Sequence, residues 1–445
     1  MELRPYQTEA VDELLFFYLQ QRPESGLCVL PTASGKTIIF AEFIRQLFTL
    51  KPASRVLVLS HTQEIVLQNA EKVRQVWPQA DVGVYCAGLD RREVKRITSA
   101  SRDTFIAEVN TYPYWDLVIV DEAHLISPDE SSRYQRLLTT LKRANPQVKV
   151  IGFTATPFRM KDGHIFGSHA SALFDRVVFK KRIDELVNSG YLCPLHAIKV
   201  EPAGVADLGQ VRITQKDFNA TDLAKVTVVE RLVSAIVDDW LFKTLGTLPT
   251  VFFASSVAQA ELFANALNDR GLFYPVITAR TKKSERTEML AQFSEGKIPG
   301  LINVATLTTG WDAPHLACIV LARPTLSAGL FLQIIGRGLR LHKSKTETLL
   351  LDYGQNLARF GMPERVRPVS ENRREFFETE QVKSCPDCES IVSSYELSCP
   401  FCTEPLMTED DISACYVCGA GNDRCAQFCE VCGEQIEENK VLFER

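Results

Sequence analysis

Three clusters of residues in this 445-residue sequence are of types and spacings that could do chemistry. The first is Leu30-Pro31-Thr32-Ala33-Ser34-Gly35-Lys36-Thr37. A phosphate-binding loop reads G-x-x-x-x-G-K-[ST], so Leu30 stands where the first glycine of the strict pattern belongs. A helix beginning after Gly35 would aim free backbone N–H groups and the positive end of its dipole at a phosphate. Lys36 could then reach the β- and γ-phosphates, and the Thr37 hydroxyl could ligate Mg²⁺. The competing reading is a strand-to-helix turn that spells Gly-Lys-Thr and binds nothing. The second cluster, "DLVIVDEAH" (Asp116–His124), lies about 85 residues further on. It puts Asp121 at the tip of an apolar run, where a carboxylate supports Mg²⁺, and beside it Glu122, which could polarise an attacking water. Acidic turns after strands are common alone, but behind a glycine-lysine loop the nucleotide reading prevails.

The third cluster is sulfur. Nine of the 13 cysteines fall between Cys385 and Cys432. Cys385-x2-Cys388-x10-Cys399-x2-Cys402 recurs 30 residues later as Cys415-x2-Cys418-x10-Cys429-x2-Cys432, and Cys425 stands outside the repeat as a spare thiol. Each quartet offers two thiolate pairs able to close a tetrahedral, all-sulfur zinc site with no open position. Such zinc is structural and replaces a core that about 25 residues cannot build. Redox C-x-x-C chemistry lacks its α/β setting here.

The elements that must position these groups are legible as patterns. "GLCVLP" reads as a buried strand and "GKTIIFAEFIRQLF" as a helix with Ile38, Ile39, Phe43 and Leu47 near one face. "RVLVLS" (Arg55–Ser60), "DLVIVD" (Asp116–Asp121) and "VKVIGFTAT" (Val148–Thr156) are further β-branched runs, and their spacing predicts a parallel, doubly wound sheet. A second α/β set starts near Thr250 with "TVFFASS", a helix ended by Gly271, "GLINVAT", "ACIVLARP" and "ETLLLDY". Helices are expected across Lys283–Glu295 and Gly329–Leu341. Between the sets, Val200–Phe218 reads as connector and Val226–Leu241 as a helix. The stretch after Gly361, with Arg365, Arg367, Arg373 and Arg374, reads as linker; its arginines are either solvated or track a phosphate backbone.

Composition narrows the class. With 45% hydrophobic and 24% charged residues the chain is of ordinary globular type, and no apolar run or signal-peptide pattern directs it to a membrane. The net charge of −5 is unevenly spread. Residues 383–445 carry 13 acidic and 4 basic side chains, so the tail is at −9 and the remainder at +4. The tail therefore repels phosphates and suits a protein partner, or docking on the basic body, better than nucleic acid.

Taken together, these residues resemble the superfamily 2 helicases and translocases of DEAH type, whose loop takes the form P-T-x-S-G-K-T. The resemblance implies an α/β fold of two tandem RecA-like parallel-sheet domains, residues 1–185 and 186–364. A linker (365–382) and a small C-terminal zinc-ribbon tail (383–405 and 413–436) complete the expected organisation. It implies ATP and Mg²⁺ as cofactors, with two structural Zn²⁺ in the tail. "LRPYQTEAV" resembles the Q motif, implying adenine contacts from Arg4 and Gln7, while Pro31 to Thr37 would cradle phosphate. "LSHTQEIVLQN" (Leu59–Asn69) and "TSAS" (Thr98–Ser101) resemble motifs Ia and Ic, making His61, Thr98 and Ser101 nucleic-acid contacts. For His61 a core or helix-start role stands as an equal alternative. "TATP" (Thr154–Pro157) resembles motif III, which links nucleotide state to domain closure. "VFFASSVAQAELFANAL" and "VATLTTGWDAP" resemble motifs IV and V, implying phosphate contacts from Ser255, Thr306, Thr308 and Thr309 and nucleotide coupling through Gly310 and Asp312. "QIIGRGLR" (Gln333–Arg340) resembles motif VI, making Arg337 and Arg340 arginine fingers; read in isolation they could be surface ion-pair partners.

Longer stretches, "LFDRVVFKKRIDELVNSGYLCPL", "GLFLQIIGRGLRLH" and "LLLDYGQNLARFG", are similar to the RadD family of bacterial DNA-repair ATPases, over roughly residues 1–402. The likeness implies an ATP-driven DNA motor acting in repair or recombination, in the bacterial cytoplasm near the nucleoid or encoded by a phage. A monomer gripping DNA backbone with little sequence preference is expected, with a repair or single-strand-binding protein on the acidic tail. Two other functions fit the same residues: a nucleotide-gated scaffold recruiting repair proteins through the tail, and an RNA helicase. Truncation after Gln381 separates motor from scaffold, because a motor should keep its stimulated ATPase activity.

Overall fold

Short β-branched runs separated by helices bury both faces only as inner strands of a helix-covered parallel sheet, and the chain builds two such sheets. The computed structural model describes residues 2–366 except 21, 23, 127–132, 160–162, 169–171, 215–216 and 308–310. In the tail it describes residues 382–394, 396–406, 412–414 and 421–423. The N-terminal lobe contains β1 (Ser25–Val29), β2 (Val56–Ser60), β3 (Val82–Cys86), β4 (Arg91–Arg92), β5 (Ile97–Ser101), β6 (Leu117–Asp121), β7 (Lys149–Thr154), β8 (Phe158–Arg159), β9 (Gly163–His164) and β10 (Arg176–Lys180). Seven of these pair in parallel in the order β10-β1-β7-β6-β2-β5-β3, with β4 antiparallel on the β3 edge. The short β8 and β9 form a separate hairpin.

The second lobe contains β11 (Leu195–Ile198), β12 (Thr250–Phe253), β13 (Val276–Ile277), β14 (Gly300–Asn303), β15 (Cys318–Leu321) and β16 (Thr348–Leu351). They pair in parallel in the order β13-β14-β12-β15-β16-β11. One continuous apolar cluster, including Leu30, Phe153, Ile335 and Leu339, runs from the first lobe's sheet into the second.

The first cysteine ribbon does not hang free. Its strands β17 (Val382–Ser384) and β18 (Ser390–Ser393) extend the second sheet, β18 pairing antiparallel with β11 at Ala197↔Ile391 and Ile198↔Ser390. The His196 ring stacks on Phe401, centroids 3.9 Å apart and planes at 12°, and Arg365 pairs with Glu396 at 3.2 Å. A second hairpin, β19 (Ile412–Ala414) with β20 (Gly421–Asp423), repeats the first 30 residues on. Cys415, Cys418, Cys425, Cys429 and Cys432 lie outside the described residues, as do Arg367, Arg373 and Arg374.

Two helices differ from their expected lengths. The helix expected across Val226–Leu241 is two, Ala220–Thr227 and Glu230–Thr244, broken at Val228 and Val229. The run Val226-Thr227-Val228-Val229 is wholly β-branched, and such side chains crowd the preceding helical turn. The helix expected to reach Leu341 stops at Gly338, whose carbonyl accepts from Thr348 Oγ1 and Lys345 Nζ.

Candidate active site

The glycine-lysine loop leaves β1 and enters the helix Lys36–Leu50. Leu30 belongs to the strand: it is fully buried, and its N–H donates to Thr154 O of β7 at 2.9 Å. The residue that breaks the strict loop pattern therefore serves the sheet, and the loop proper begins at Pro31. Ala33 and Gly35 take left-handed backbone conformations (φ 70° and 83°), and Ser34 Oγ donates to Pro31 O at 2.7 Å. Gln7 packs behind the loop. Its Nε2 donates to Ser34 O (3.2 Å), its Oε1 accepts from Arg4 N–H (3.0 Å), and a Cβ on Gly35 would meet that Nε2 at 2.6 Å. Gly35 caps the helix without a side-chain partner, which leaves first-turn N–H groups open.

Opposite the loop, β6 ends at Asp121 and Glu122, the latter held at φ 52°. Lys36 Nζ lies 3.6 Å from Glu122 Oε1, and both groups are largely buried. Lys36 Nζ and Glu122 Oε2 have no hydrogen-bond partner among the described residues. Asp121 accepts from Glu122 N–H (3.0 Å) and from Asn69 Nδ2 (3.2 Å). The two adjacent carboxyls respond oppositely to burial. Desolvation, then the neighbouring Glu122 charge, pushes Asp121 up to about 6. Burial acts on Glu122 in the same upward sense, but Lys36, His124, His61 and Arg337 together hold it below the ordinary carboxylate range. Glu122 is thus the stronger acid of the two and keeps its charge where Asp121 begins to protonate, as a water-polarising group requires. Asp121, with the Thr37 hydroxyl, supplies hard oxygen donors suited to Mg²⁺.

The second lobe closes over this edge. Its helix Ala328–Gly338 lies across the first lobe: a Cβ on Gly329 would sit 3.4 Å from His124 Nε2, and one on Gly336 would collide with Thr32 Cβ at 2.3 Å. Only glycine permits that approach. It delivers Arg337, 7% exposed, to a position facing Glu122, and its guanidinium donates to Trp311 O. Arg340 pairs with Asp312 on the same wall. Burial draws both arginines down to about 10, so both stay charged at neutral pH.

Loop, acids and arginines line one cleft of about 500 Å³ between the lobes. Arg4, Thr32, Ala33, Gly35, Lys36, Thr37, Asp121, Glu122, Asp312, Arg337 and Arg340 are all on its wall, whereas Gln7, Pro31 and Ser34 support the loop from behind. Gly310 lies outside the described residues. Residue patterns alone missed Tyr191 and Asn69. Tyr191 lines the cleft beneath the Arg4 guanidinium (5.3 Å to the ring centroid), and its carbonyl accepts from Arg4. Asn69 ties Asp121 to Ser60. Its signal was the 3.6-residue period placing Asn69 on the buried face of helix Gln63–Val76.

The expected nucleic-acid contacts divide. Thr98 is a correction: it is fully buried, and its hydroxyl donates to Lys95 O (2.7 Å) and accepts from Lys95 N–H (2.9 Å). It lies in β5, an inner strand between β2 and β3 whose first four residues are all buried, so it is inside the sheet and not on the surface. Ser101, at the partly exposed end of the same strand, keeps its accessibility. His61 is partly buried with Nδ1 unpartnered among the described residues, and desolvation lowers its pKa while Glu122 opposes that shift. Ser255 Oγ is engaged by Thr227 (2.9 Å) and Gln259 (2.9 Å), and Thr306 Oγ1 donates to Asn303 (2.6 Å). Thr308 and Thr309 lie outside the described residues.

In the ribbon, Cys385, Cys388, Cys399 and Cys402 bring four sulfurs within 4.8 Å of one another, with Sγ–Sγ separations of 3.5 Å (Cys385–Cys402) and 3.6 Å (Cys388–Cys399). Tetrahedral zinc with Zn–S of about 2.3 Å needs edges of about 3.8 Å, so this quartet could hold the ion.

The Res-subunit family of type III restriction enzymes matches residues 1–159, and the helicase conserved C-terminal domain matches residues 230–342. Together these two matches run through both lobes, and in each the chain is similar to the superfamily 2 helicases. It is 30% identical over 365 residues to IRC3 of Saccharomyces cerevisiae, a protein assigned as an ATP-dependent helicase, covering 79% of this chain and 51% of that one. The chain thus spans about half the length of this relative. It is 25% identical over 385 residues to the DNA 3'-5' translocase XPB2 of Sulfurisphaera tokodaii, covering 79% and 81%. Among solved structures, a fragment assigned as the HsdR subunit of a type I restriction enzyme from Vibrio vulnificus superimposes with a TM-score of 0.62 at 21% identity, over 81% of this chain and 66% of that one. Among the described residues no helix is long and apolar enough to cross a membrane.

Proposed function

We propose that this protein is a superfamily 2 helicase that couples ATP hydrolysis to movement on, or remodelling of, DNA. The carrying observation is the shared cleft: Lys36 and Glu122 from one lobe face Arg337 from the other, so a triphosphate seated on the loop meets its arginines only when the lobes close. In that arrangement the loop N–H groups and Lys36 hold the β- and γ-phosphates. Thr37 and Asp121 are placed to hold the Mg²⁺ that neutralises developing charge, and Glu122 orients the water. Arg337 and Arg340 stabilise the transition state, and their departure on opening turns each hydrolysis into a lobe movement. Tyr191 and Arg4 frame the end of the cleft where a base fits.

DNA is favoured over RNA by the likeness to a DNA translocase and by the RadD-like stretches, which also support a role in repair or recombination. Backbone contact through Ser101, His61 and the threonines of motif V would read little sequence and weaken steeply with salt. The cysteine quartets are assigned structural zinc. Steady-state ATP hydrolysis against single-stranded DNA, duplex DNA and RNA, with Lys36→Ala and Glu122→Gln as controls, tests the reading. Stimulation by RNA alone would reassign the substrate, and activity surviving in Lys36→Ala would remove the phosphate-binding role.

A further inference from the structure

An unbroken run of contacts joins the cysteine ribbon to the arginine-bearing helix. Cys388 Sγ lies 3.1 Å from the hydroxyl of Ser390, which is fully buried, and that hydroxyl lies 2.8 Å from His196 Nε2. His196 is clamped further by its stack on Phe401 and by Glu347, 3.1 Å from Nδ1. The next residue, Thr348, opens β16 and is the register partner of Leu195. Thr348 Oγ1 donates to Gly338 O at 2.7 Å, and Lys345 Nζ donates to the same carbonyl at 2.6 Å. A Cβ on Gly338 would meet Thr348 Cγ2 at 2.5 Å, so the helix end rests directly on the strand. Two backbone bonds complete the joint, Cys193 N–H to Leu339 O (2.8 Å) and Thr348 N–H to Pro194 O (2.9 Å). Arg337 and Arg340 flank this point.

The ribbon is the element with two states. Its buried core is Cys385, Val392 and Cys399, far too little apolar surface to fold alone. Folding here is metal binding: four thiolates around one ion replace the missing core. With the ion lost, β18 leaves β11, Phe401 leaves His196, and the strand beside Thr348 loses its outer neighbour. A shift of about 1 Å in a group that stabilises a transition state can cost about a hundredfold in rate, so slackness at Gly338 would reach the chemistry.

We propose that the metal-folded ribbon braces the arginine pair, with His196 as the positioning residue at the joint, so that metal occupancy sets the rate of hydrolysis without altering nucleotide binding. The proposal rests on reading the cleft as an ATPase centre. In His196→Ala, kcat should fall roughly three- to tenfold while nucleotide affinity stays within about twofold, and zinc content stays that of the wild type. Hydrogen exchange at the Cys193 and Thr348 amides should quicken, both in this variant and in wild-type protein stripped of zinc by a chelator. Combined with Arg340→Ala, His196→Ala should lower kcat by less than it does alone, because one of the two groups it positions is gone. An equal loss in the Arg340→Ala background, or unchanged exchange after stripping, overturns the brace. Should His196→Ala not fold, Glu347→Ala removes one contact from an exposed site, and its kcat and exchange decide in the same way. If wild-type protein hydrolyses no ATP and Lys36→Ala changes nothing, the ATPase reading falls instead, and the exchange measurement alone judges the joint.

Discussion

Each lobe contains a parallel strand that runs into a turn and then a helix, and the two turns are built to opposite ends. In the first lobe, Gly35 precedes the helix with no side-chain cap, and the first-turn amides face the cleft. In the second, β12 runs into Ser255 and Ser256 before the helix Val257–Asn268. Ser256 Oγ accepts from Gln259 N–H, while fully buried Gln259 takes Ser255 N–H (2.7 Å) and Oγ (2.9 Å) on Oε1 and donates Nε2 to Thr227 O (3.2 Å). Helix N-termini always present orphan donors. Where a side chain satisfies them the turn is scaffold; where glycine and lysine leave them open it is a phosphate seat. Fold alone does not distinguish the lobes. Capping does.

The comparison breaks most visibly at Lys36. Lys36→Ala should lower ATP hydrolysis by about a hundredfold or more, whereas Glu122→Gln should do so while retaining nucleotide binding; fluorescent-nucleotide titration beside steady-state turnover separates the two. Next comes the partner lobe: Arg337→Ala should cut kcat by about a hundredfold with little change in nucleotide affinity, measured in single turnover. Closing the open turn is a sharper test. Gly35→Ala forces a side chain into a left-handed backbone and against Gln7, so it should abolish measurable ATP binding and lower stability by about 1 kcal/mol. Its counterpart Gln259→Ala strands buried polar groups and should cost about 1–3 kcal/mol in denaturant unfolding, leaving ATP affinity intact. The smallest effect is in pH. Protons and Mg²⁺ compete for Asp121, whose carboxyl is raised to about 6, so Mg-ATP affinity should be flat above neutrality and weaken as pH falls through about 6. Calorimetry in buffers of different ionisation enthalpy should detect a proton released on binding near pH 6 and none near pH 8.

Sequence made the chemistry legible where local pattern and chemical type coincide. "RVLVLS" and "DLVIVD" are β2 and β6 to within a residue, and the loop, the acid pair and the arginines converge on one cleft. Long-range packing was less accessible. Thr98 sits in a segment too short and small for periodicity to reveal that it faces inward. Tyr191 reaches the cleft because helix Ile183–Asn188 stops at Ser189 and Gly190 and returns the chain past Arg4, a pairing of residues 187 positions apart. The break at Val228–Val229 was readable from β-branching, yet the surrounding apolar period masked it. Nothing local marked β18 as a strand of the second sheet, because its partner β11 lies nearly 200 residues earlier.

That last pairing changes what a shortened chain would report. A protein ending at Gln381 loses more than an acidic appendage: it bares the flank of β11, exposing backbone donors and acceptors around Ala197 and Ile198 that seek another strand. Such a protein is primed for edge-to-edge self-association. Lost activity in it would measure solubility before it measured recruitment, so the tail is better probed by point substitution than by the scissors.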